Sequence, residues 1–589
     1  MLECKVDNLR IEKYQGALLG VAVGDALGWP NEQNSKKIGN SKPTNVELFQ
    51  SWKRRCGGKF WNHEEEINPG EYSDDTQLII ATARSLRYGA NWNRYFTKYE
   101  IPAWLSYERG GGGATKRAAE VWKRGRKPWK LETENISDVR KYFDAGGNGV
   151  AMRILPHVFR NEDMVEEIMH QVVLNGIYTH GHPRALLGAT LYAYALVCLS
   201  VYKGILGYGE LVNMLIENHE KWAQFPRIQK LEDWIENADV VIGSQYIDLW
   251  DGVVTEAINL LSIAKNGLNQ GALDMGNDVL VKLGCFDPKV NGSGTVTAVA
   301  SIYLASKYAS NPYIGLVEAA NLNNADTDTL ASMVGGLLGM LHGTEWLSAK
   351  WFDVQDYQFI KKLVQYSPVD PSKEVYSFTQ LIPFDISNSG FKSKLKDAKV
   401  GDRIITHPFN LLTVIEKRLN KPIAKGISVY TIKLRSEEGQ TIFIKTCEKV
   451  TSQMVMVPEN DITEKMTGYK NRQSVNNNLD ESKDVLTNRE AVYRKTPQVL
   501  NEGIQKKSIP ARKQVMITAN KLRSFANVLP ENIPIDQYLF IISDIMIEVD
   551  RASTGELDET TFNMLRNRWR KYNLTLQNIK RIIQILLNY

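Results

Sequence analysis

A chain of 589 residues is too long for one ordinary core, and at roughly 150 residues per domain the length predicts about three or four domains. Hydrophobic residues at 43% and charged residues at 24% fit a globular chain and exclude a fibrous or broadly disordered one. The formal net charge of +5 is uneven, because residues 1–370 sum to about −5 and residues 371–589 to about +10, so the tail is the basic part. The five cysteines (Cys4, Cys56, Cys198, Cys285, Cys447) form no C-x-x-C pair and are odd in number, which argues against a disulfide framework and predicts a reducing, cytoplasmic setting. Glu3, Asp7 and Glu12 precede any apolar run, so no secretory signal is expected. The uncharged run 185–202 is marginal for a membrane span and rich in Ala, Gly, Tyr and Ser, so it predicts a buried core helix and no membrane partner.

In chain order, residues 14–28 read Y-Q-G-A-L-L-G-V-A-V-G-D-A-L-G. Gly16, Gly20, Gly24 and Gly28 fall on one helical face and would let another helix approach closely. The helix is expected to end near Trp29 and Pro30, leaving Glu32 at its exit in a loop. A loop carboxylate on a rigid helix suits catalysis, although a lone exposed Glu more often serves only solvation. Residues 33–70 lack periodicity and predict an irregular covering loop.

Residues 71–77 read E-Y-S-D-D-T-Q and open an apolar helix over 73–86. Residues 324–329 read N-A-D-T-D-T and open a second one over 330–341. Each motif alone reads equally as an N-cap complementing a helix dipole. Together the two motifs make two half-sites of hard oxygen donors, Asp with Ser or Thr hydroxyls, that suit Mg²⁺ and lack the His or Cys that zinc prefers. Between them, residues 109–115 (R-G-G-G-G-A-T) precede a helical stretch, so Gly111, Gly112 and Gly113 either turn backbone N–H groups toward an anion or form a flexible linker. Residues 145–156 (A-G-G-N-G-V-A-M-R-I-L-P) make a second glycine turn, in which Asn148 suits a left-handed conformation and Arg153 faces either solvent or a phosphate. His180 and His182, two apart in T-H-G-H-P-R-A, suit hydrogen bonding or capping better than zinc.

No strand run appears in the first part, which predicts an all-α orthogonal helical bundle over residues 1–370 with its loops at one end. Composition shifts over 368–390. Short β-branched segments at 403–406, 428–434 and 440–446, with Gly439 in a turn, predict a small β module over 391–455. A polar linker over 456–510 and a helical domain over 511–589 follow, the latter with apolar runs 538–547 and 579–587 and a basic patch 566–571 around Trp569. Every candidate site residue precedes the shift, so residues 391–589 are expected to be dispensable for chemistry.

Five motifs occur in the order found in the ADP-ribosylglycohydrolase family: G-D-A-L-G at 24–28, S-D-D-T at 73–76, G-N-G-x-x-M-R at 147–153, T-H-G-x-P-R-A at 179–185 and D-T-D-T at 326–329. Residues 11–350 therefore resemble that family. The resemblance implies an all-α fold holding two Mg²⁺, or Mn²⁺ in some members, on Ser73, Asp74, Asp75, Asp326, Asp328 and Thr329. It implies that Glu32 acts near the scissile bond as general acid or base, with Asp74 or Asp75 the alternative for activating water. It also implies that the loop holding Gly111, Gly112 and Gly113 and the turn of Gly147, Asn148 and Gly149 hold diphosphate and ribose, with His180 nearby. The sequence departs from the family at Asn324 and Ala325, where Gly-Gly is usual, and at His182. The expected activity is hydrolytic removal of ADP-ribose from a protein side chain or nucleobase by cleavage at ribose C1. The alternative is a non-catalytic ADP-ribose-binding module, and the basic tail suits nucleic acid or a partner protein equally.

Overall fold

A computed structural model describes residues 2–35, 47–58, 60–160, 164–270, 277–365, 382–449, 541, 545, 563–566 and 575–587. The expected linker over 456–510 lies outside these residues, as do most of the run 538–547 and the basic patch around Trp569. Helix Leu576–Leu587 carries the last expected apolar run. The described part is mostly helical with a sheet toward its C-terminal end.

Helix α1 (Leu2–Ser35) runs through the core, with Ala17, Leu18, Leu19, Val21, Ala22 and Val23 all buried. The helices that place the candidate residues are α2 (Asp74–Leu86), α3 (Gly113–Lys123), α4 (Val165–Ile177), α5 (Pro183–Val201), α6 (Tyr246–Gln270), α7 (Gly294–Lys307), α8 (Pro312–Ala320) and α9 (Thr327–His342). The partner expected for the glycine face of α1 is α9, lying antiparallel. A Cβ at Gly20 would stand 2.1 Å from the carbonyl oxygen of Gly335, and one at Gly335 would stand 2.0 Å from that of Gly20. Gly24 meets Ala331 and Gly28 meets Thr327 in the same way, so two backbones touch along three turns. This contact fixes the C-terminal end of α1 beside the start of α9.

Helix α1 does not stop at Pro30, which lies inside it, and Glu32 is on its last turns rather than in a loop. Proline removes one N–H, but tertiary bonds hold the turn: Thr327 Oγ1 donates to the Gly28 carbonyl at 2.8 Å, and Asn31 Nδ2 donates to the Ala320 carbonyl at 2.6 Å. Helix α5 contains most of the long uncharged run. It has the length and hydropathy of a membrane span, yet 83% of its most apolar window is buried inside this chain, packed against α4 and α7.

The stretch expected to be irregular contains a hairpin, β1 (Trp52–Cys56) and β2 (His63–Ile67), so the first part of the chain is not all helical. The hairpin escapes a search for apolar alternation because its register pairs charges: Lys53, Arg54 and Arg55 oppose Glu66, Glu65 and Glu64. The other strands are β3 (Ile382–Pro383), β4 (Arg403–His407), β5 (Asn410–Pro422), β6 (Ile427–Ser436) and β7 (Thr441–Lys449). Strand β5 pairs with β2, β4 and β6, and β7 pairs with β6, so one sheet of seven strands joins the hairpin to the C-terminal region.

That sheet is fastened to the helices elsewhere. Arg84 Nη1 donates to Gln440 Oε1 at 2.6 Å, Asp356 accepts from both Tyr72 Oη and the Thr441 backbone N–H, and Phe409 packs against Tyr107 with ring centroids 5.6 Å apart. Residues 391–449 are thus packed into the helical part rather than set apart from it. Cutting them away would take Gln440 from the buried Arg84 and Lys445 from the buried Glu65, leaving Arg84 on Glu100 and Glu65 on Arg54 and Arg109.

A buried histidine gives this fold a pH signature. His157 lies edge-on to Trp92 at 4.8 Å, and its Nε2 accepts from Asn175 Nδ2 at 3.2 Å. Burial, and then the nearby Arg153 cation, pull its pKa from 6.5 to about 3. Between those values the unfolded chain binds a proton that the folded chain refuses, so this group's contribution is intact above about pH 6.5 and declines as pH falls. The expected loss is about 1.4 kcal/mol per pH unit on acidification from about 6.5 toward about 3. Denaturant melts of wild type and His157→Gln at several pH values check this: the wild-type advantage should shrink by that slope, and a pH-independent difference would contradict it.

Candidate active site

The contact between α1 and α9 gathers four things at one end of the bundle: the last turns of α1, the starts of α2 and α9, and the loop before α3. Asp25, on α1, is fully buried and reaches the start of α2. It accepts from the Ser73 backbone N–H at 2.9 Å, the Thr76 backbone N–H at 3.1 Å and Thr76 Oγ1 at 2.6 Å. Ser73 is the N-cap, its Oγ accepting from the Asp75 N–H at a long 3.5 Å. Capping at this helix start is thus carried by Asp25 and Ser73. Asp74 and Asp75 are left for something else.

At the other half-site, Asp326 occupies the N-cap position of α9, but its side chain makes no capping hydrogen bond. Its Oδ2 instead accepts from Asn148 Nδ2 at 2.8 Å. Thr329 Oγ1 donates to Asp75 Oδ1 at 3.4 Å, so the two half-sites, some 250 residues apart in sequence, meet. Asp75 Oδ2 is buried without a hydrogen bond. Ser332 Oγ likewise completes no hydrogen bond.

Desolvation first, and mutual repulsion second, push these carboxyls well above their usual range. Asp74 feels Glu108 and Asp25; Asp75 feels Asp25, Asp74 and Asp326; Asp328 feels Glu32, Asp326 and Asp75. So many carboxylates gathered in a buried place, with Lys116 easing only Asp74, are unfavourable for folding alone. Hard oxygens only, an orphaned carboxylate oxygen and converging negative charge fit a hard divalent cation. Among the described residues no three acidic, His or Cys side chains already stand at ligating spacing, so closing on a cation requires side chains to rotate.

The glycine loop lies against Asp74. Gly110 has φ +101°, and a Cβ there would stand 3.0 Å from Asp74 Oδ1. Gly111 donates its N–H to Glu108 Oε2 at 3.1 Å, and Gly112 is the N-cap of α3. A cleft of about 480 Å³ beside α3 is lined by Glu108, Lys116, Arg117, Tyr142 and Thr179, reaching the loop's flank but not the aspartates.

The second glycine turn is held by Arg153, which faces neither solvent nor an open anion site. The buried guanidinium donates to the Gly149 carbonyl, the Asn175 carbonyl, Asn175 Oδ1 and Thr179 Oγ1 at 2.6 to 2.9 Å. Burial lowers its pKa to about 9, which still leaves it cationic at neutral pH. Thr179 Oγ1 pairs with His180 Nδ1 at 2.7 Å, and a Cβ at Gly149 would stand 3.0 Å from the His180 ring. Asn148 is not left-handed; its side chain serves Asp326 and Thr297 instead, while Gly147 bridges to Ser293. His182 caps α5, accepting from the Arg184 N–H at 3.1 Å, as its position beside Pro183 suggests.

Sequence reasoning left Asp25, Glu108, Arg109 and Glu65 without a role. A single charge inside the otherwise uncharged run 14–28 was a signal for Asp25. Nothing in the local pattern around Glu65 pointed to its partners.

A family profile described as ADP-ribosylglycohydrolase matches residues 6–373. The chain belongs to the ADP-ribosylglycohydrolase family. Among its relatives is the ADP-ribosyl-[dinitrogen reductase] glycohydrolase of Rhodospirillum rubrum, 27% identical over 211 residues, which are 35% of this chain and 65% of that protein. The match thus spans slightly less than two thirds of that family member. The uncharacterized protein YegU of Escherichia coli K12 is 23% identical over 354 residues, 57% of this chain and 89% of that protein. A solved structure titled ADP-ribosylglycohydrolase-related protein complex aligns at 19% identity and a TM-score of 0.39, covering 61% of this chain and 97% of that one.

Proposed function

We propose that this chain hydrolyses the bond between ribose C1 of ADP-ribose and a modified acceptor, a protein side chain or a nucleobase, with two divalent cations, Mg²⁺ or Mn²⁺, as cofactors. The carrying observation is the convergence of Asp74, Asp75, Asp326 and Asp328 beside Glu32, with Asp25 and Ser73 capping α2 and the Asp326 side chain accepting from Asn148 rather than capping α9. Family membership and the printed name of the R. rubrum relative support the same chemistry.

Ser73, Asp74, Asp75, Asp326, Asp328 and Thr329 would hold the cations. When bound, such cations orient vicinal ribose hydroxyls and offset the repulsion among the carboxylates. The loop of Gly111, Gly112 and Gly113 offers backbone N–H groups at the start of α3 to the diphosphate. Gly147, Asn148, Gly149 and His180 line the ribose side, their positions locked by Arg153 and Thr179. Glu32 handles the proton of the attacking water as positive charge builds on the sugar.

Glu32→Gln tests this assignment. It keeps the shape and removes the charge, so ADP-ribose affinity by calorimetry should stay within about threefold while single-turnover release falls by about 10² to 10⁴. Near wild-type release would remove Glu32 from the reaction and pass its role to Asp74 or Asp75.

A further inference from the structure

We propose that strand β7 is a working part of the active site: Lys445 and Phe443 are positioning residues that set the glycine loop through Glu65 and Arg109. This rests on the reading of residues 110–113 as the diphosphate loop.

Glu65, on β2, is fully buried and surrounded by cations. Arg54 Nε lies at 2.9 Å, Arg109 Nε at 3.1 Å and Lys445 Nζ at 2.9 Å from its carboxylate. Burial alone would push its carboxyl up, but Lys445, Arg109 and Arg54 outweigh that and hold it well below the usual range. Arg109 is itself buried, with Nη1 at 2.8 Å from Glu71 Oε2, its guanidinium 3.8 Å from the Phe443 ring centroid, and Nη2 without a hydrogen bond. Its backbone N–H is held by Gln77 Oε1 at 3.3 Å. The next residue is Gly110, which lies against Asp74.

The guanidinium that starts the loop is therefore oriented by one carboxylate from β2, one from the lead into α2 and one ring from β7. Lys445 in turn holds the β2 carboxylate from a position 380 residues away in sequence. Glu65 and Glu71 thus hold Arg109 from two sides while the Phe443 ring covers its face. Neutralising Lys445 would free one side of Glu65 and loosen that hold.

The test uses the full chain with Lys445→Met, Phe443→Leu and Lys445→Arg, and Lys449→Met as a control elsewhere on β7. Lys445→Met is expected to weaken ADP-ribose binding and raise KM by about tenfold, with kcat within about threefold. Lys445→Arg should restore both constants, and Phe443→Leu should fall between. Hydrogen exchange at residues 110–113 should quicken in Lys445→Met while that of α9 is unchanged. Unaltered exchange in the loop, or an equal loss of kcat and protection throughout the fold, would overturn the proposal. A wild type that binds no ADP-ribose would sink the functional reading instead, and the exchange data would still decide whether β7 positions the loop.

Discussion

Asp328→Asn is expected to cut turnover by at least about 10³-fold while leaving the chain folded. Asp328 is buried among Glu32, Asp326 and Asp75, where desolvation and repulsion make its charge unfavourable for folding. The amide keeps its volume and can still accept from the Thr329 backbone N–H, now at 2.9 Å. Without cation the variant should melt at the wild-type temperature or above it, because one of several repelling carboxylates has been removed. With cation the order should reverse. A ligand present at a hundredfold its dissociation constant stabilises a fold by about 2.7 kcal/mol, and the variant should lose most of that gain. Thermal melts with and without Mg²⁺, beside single-turnover release of ADP-ribose, check both halves. Full cation-induced stabilisation in Asp328→Asn would mean that the two half-sites do not share the ion.

Gly20→Ala is expected to be severely damaging for a change of one methyl group. The added Cβ would meet the Gly335 carbonyl oxygen at 2.1 Å, which is backbone rather than a side chain able to swing away. Either the helices part, opening voids beside Leu19 and Val21, or the main chain of α9 shifts at its own Gly335 and Gly339. We expect a loss of at least about 3 kcal/mol, the upper end of overpacking costs, or failure to fold. Because the same contact sets the end of α1 beside Thr327, any folded fraction should also show reduced turnover. Denaturant melts paired with activity per folded molecule test this, and a loss below about 1 kcal/mol would contradict the backbone contact.

What was legible in the sequence was what repeats or carries an unusual local pattern. A four-residue glycine spacing announced a helix built for close approach, and paired Asp with Ser or Thr at two helix starts announced a shared site. The structure supplies the partner helix and brings Asp75 to Thr329. Less legible were features whose cause is tertiary. Pro30 reads as a stop, but contacts from Thr327 and Asn31 carry α1 past it. The hairpin over residues 52–67 is stabilised by cross-strand charges and by pairing with β5, which no local window contains. Arg153 reads as an anion contact because three of its four acceptors lie 22 to 26 residues further on, at Asn175 and Thr179. The site's tie to β7 was hidden for the same reason, since Glu65, Arg109 and Lys445 meet only once the sheet has formed.

The most direct test of the central claim is single-turnover release of ADP-ribose from Arg-, Ser- and nucleobase-linked substrates, before chelation, after it, and after Mg²⁺ or Mn²⁺ is returned. The account predicts release from at least one linkage, loss of that release on chelation and recovery on adding the cation. Release that persists through complete chelation, or no release from any linkage with cation saturating, would contradict it.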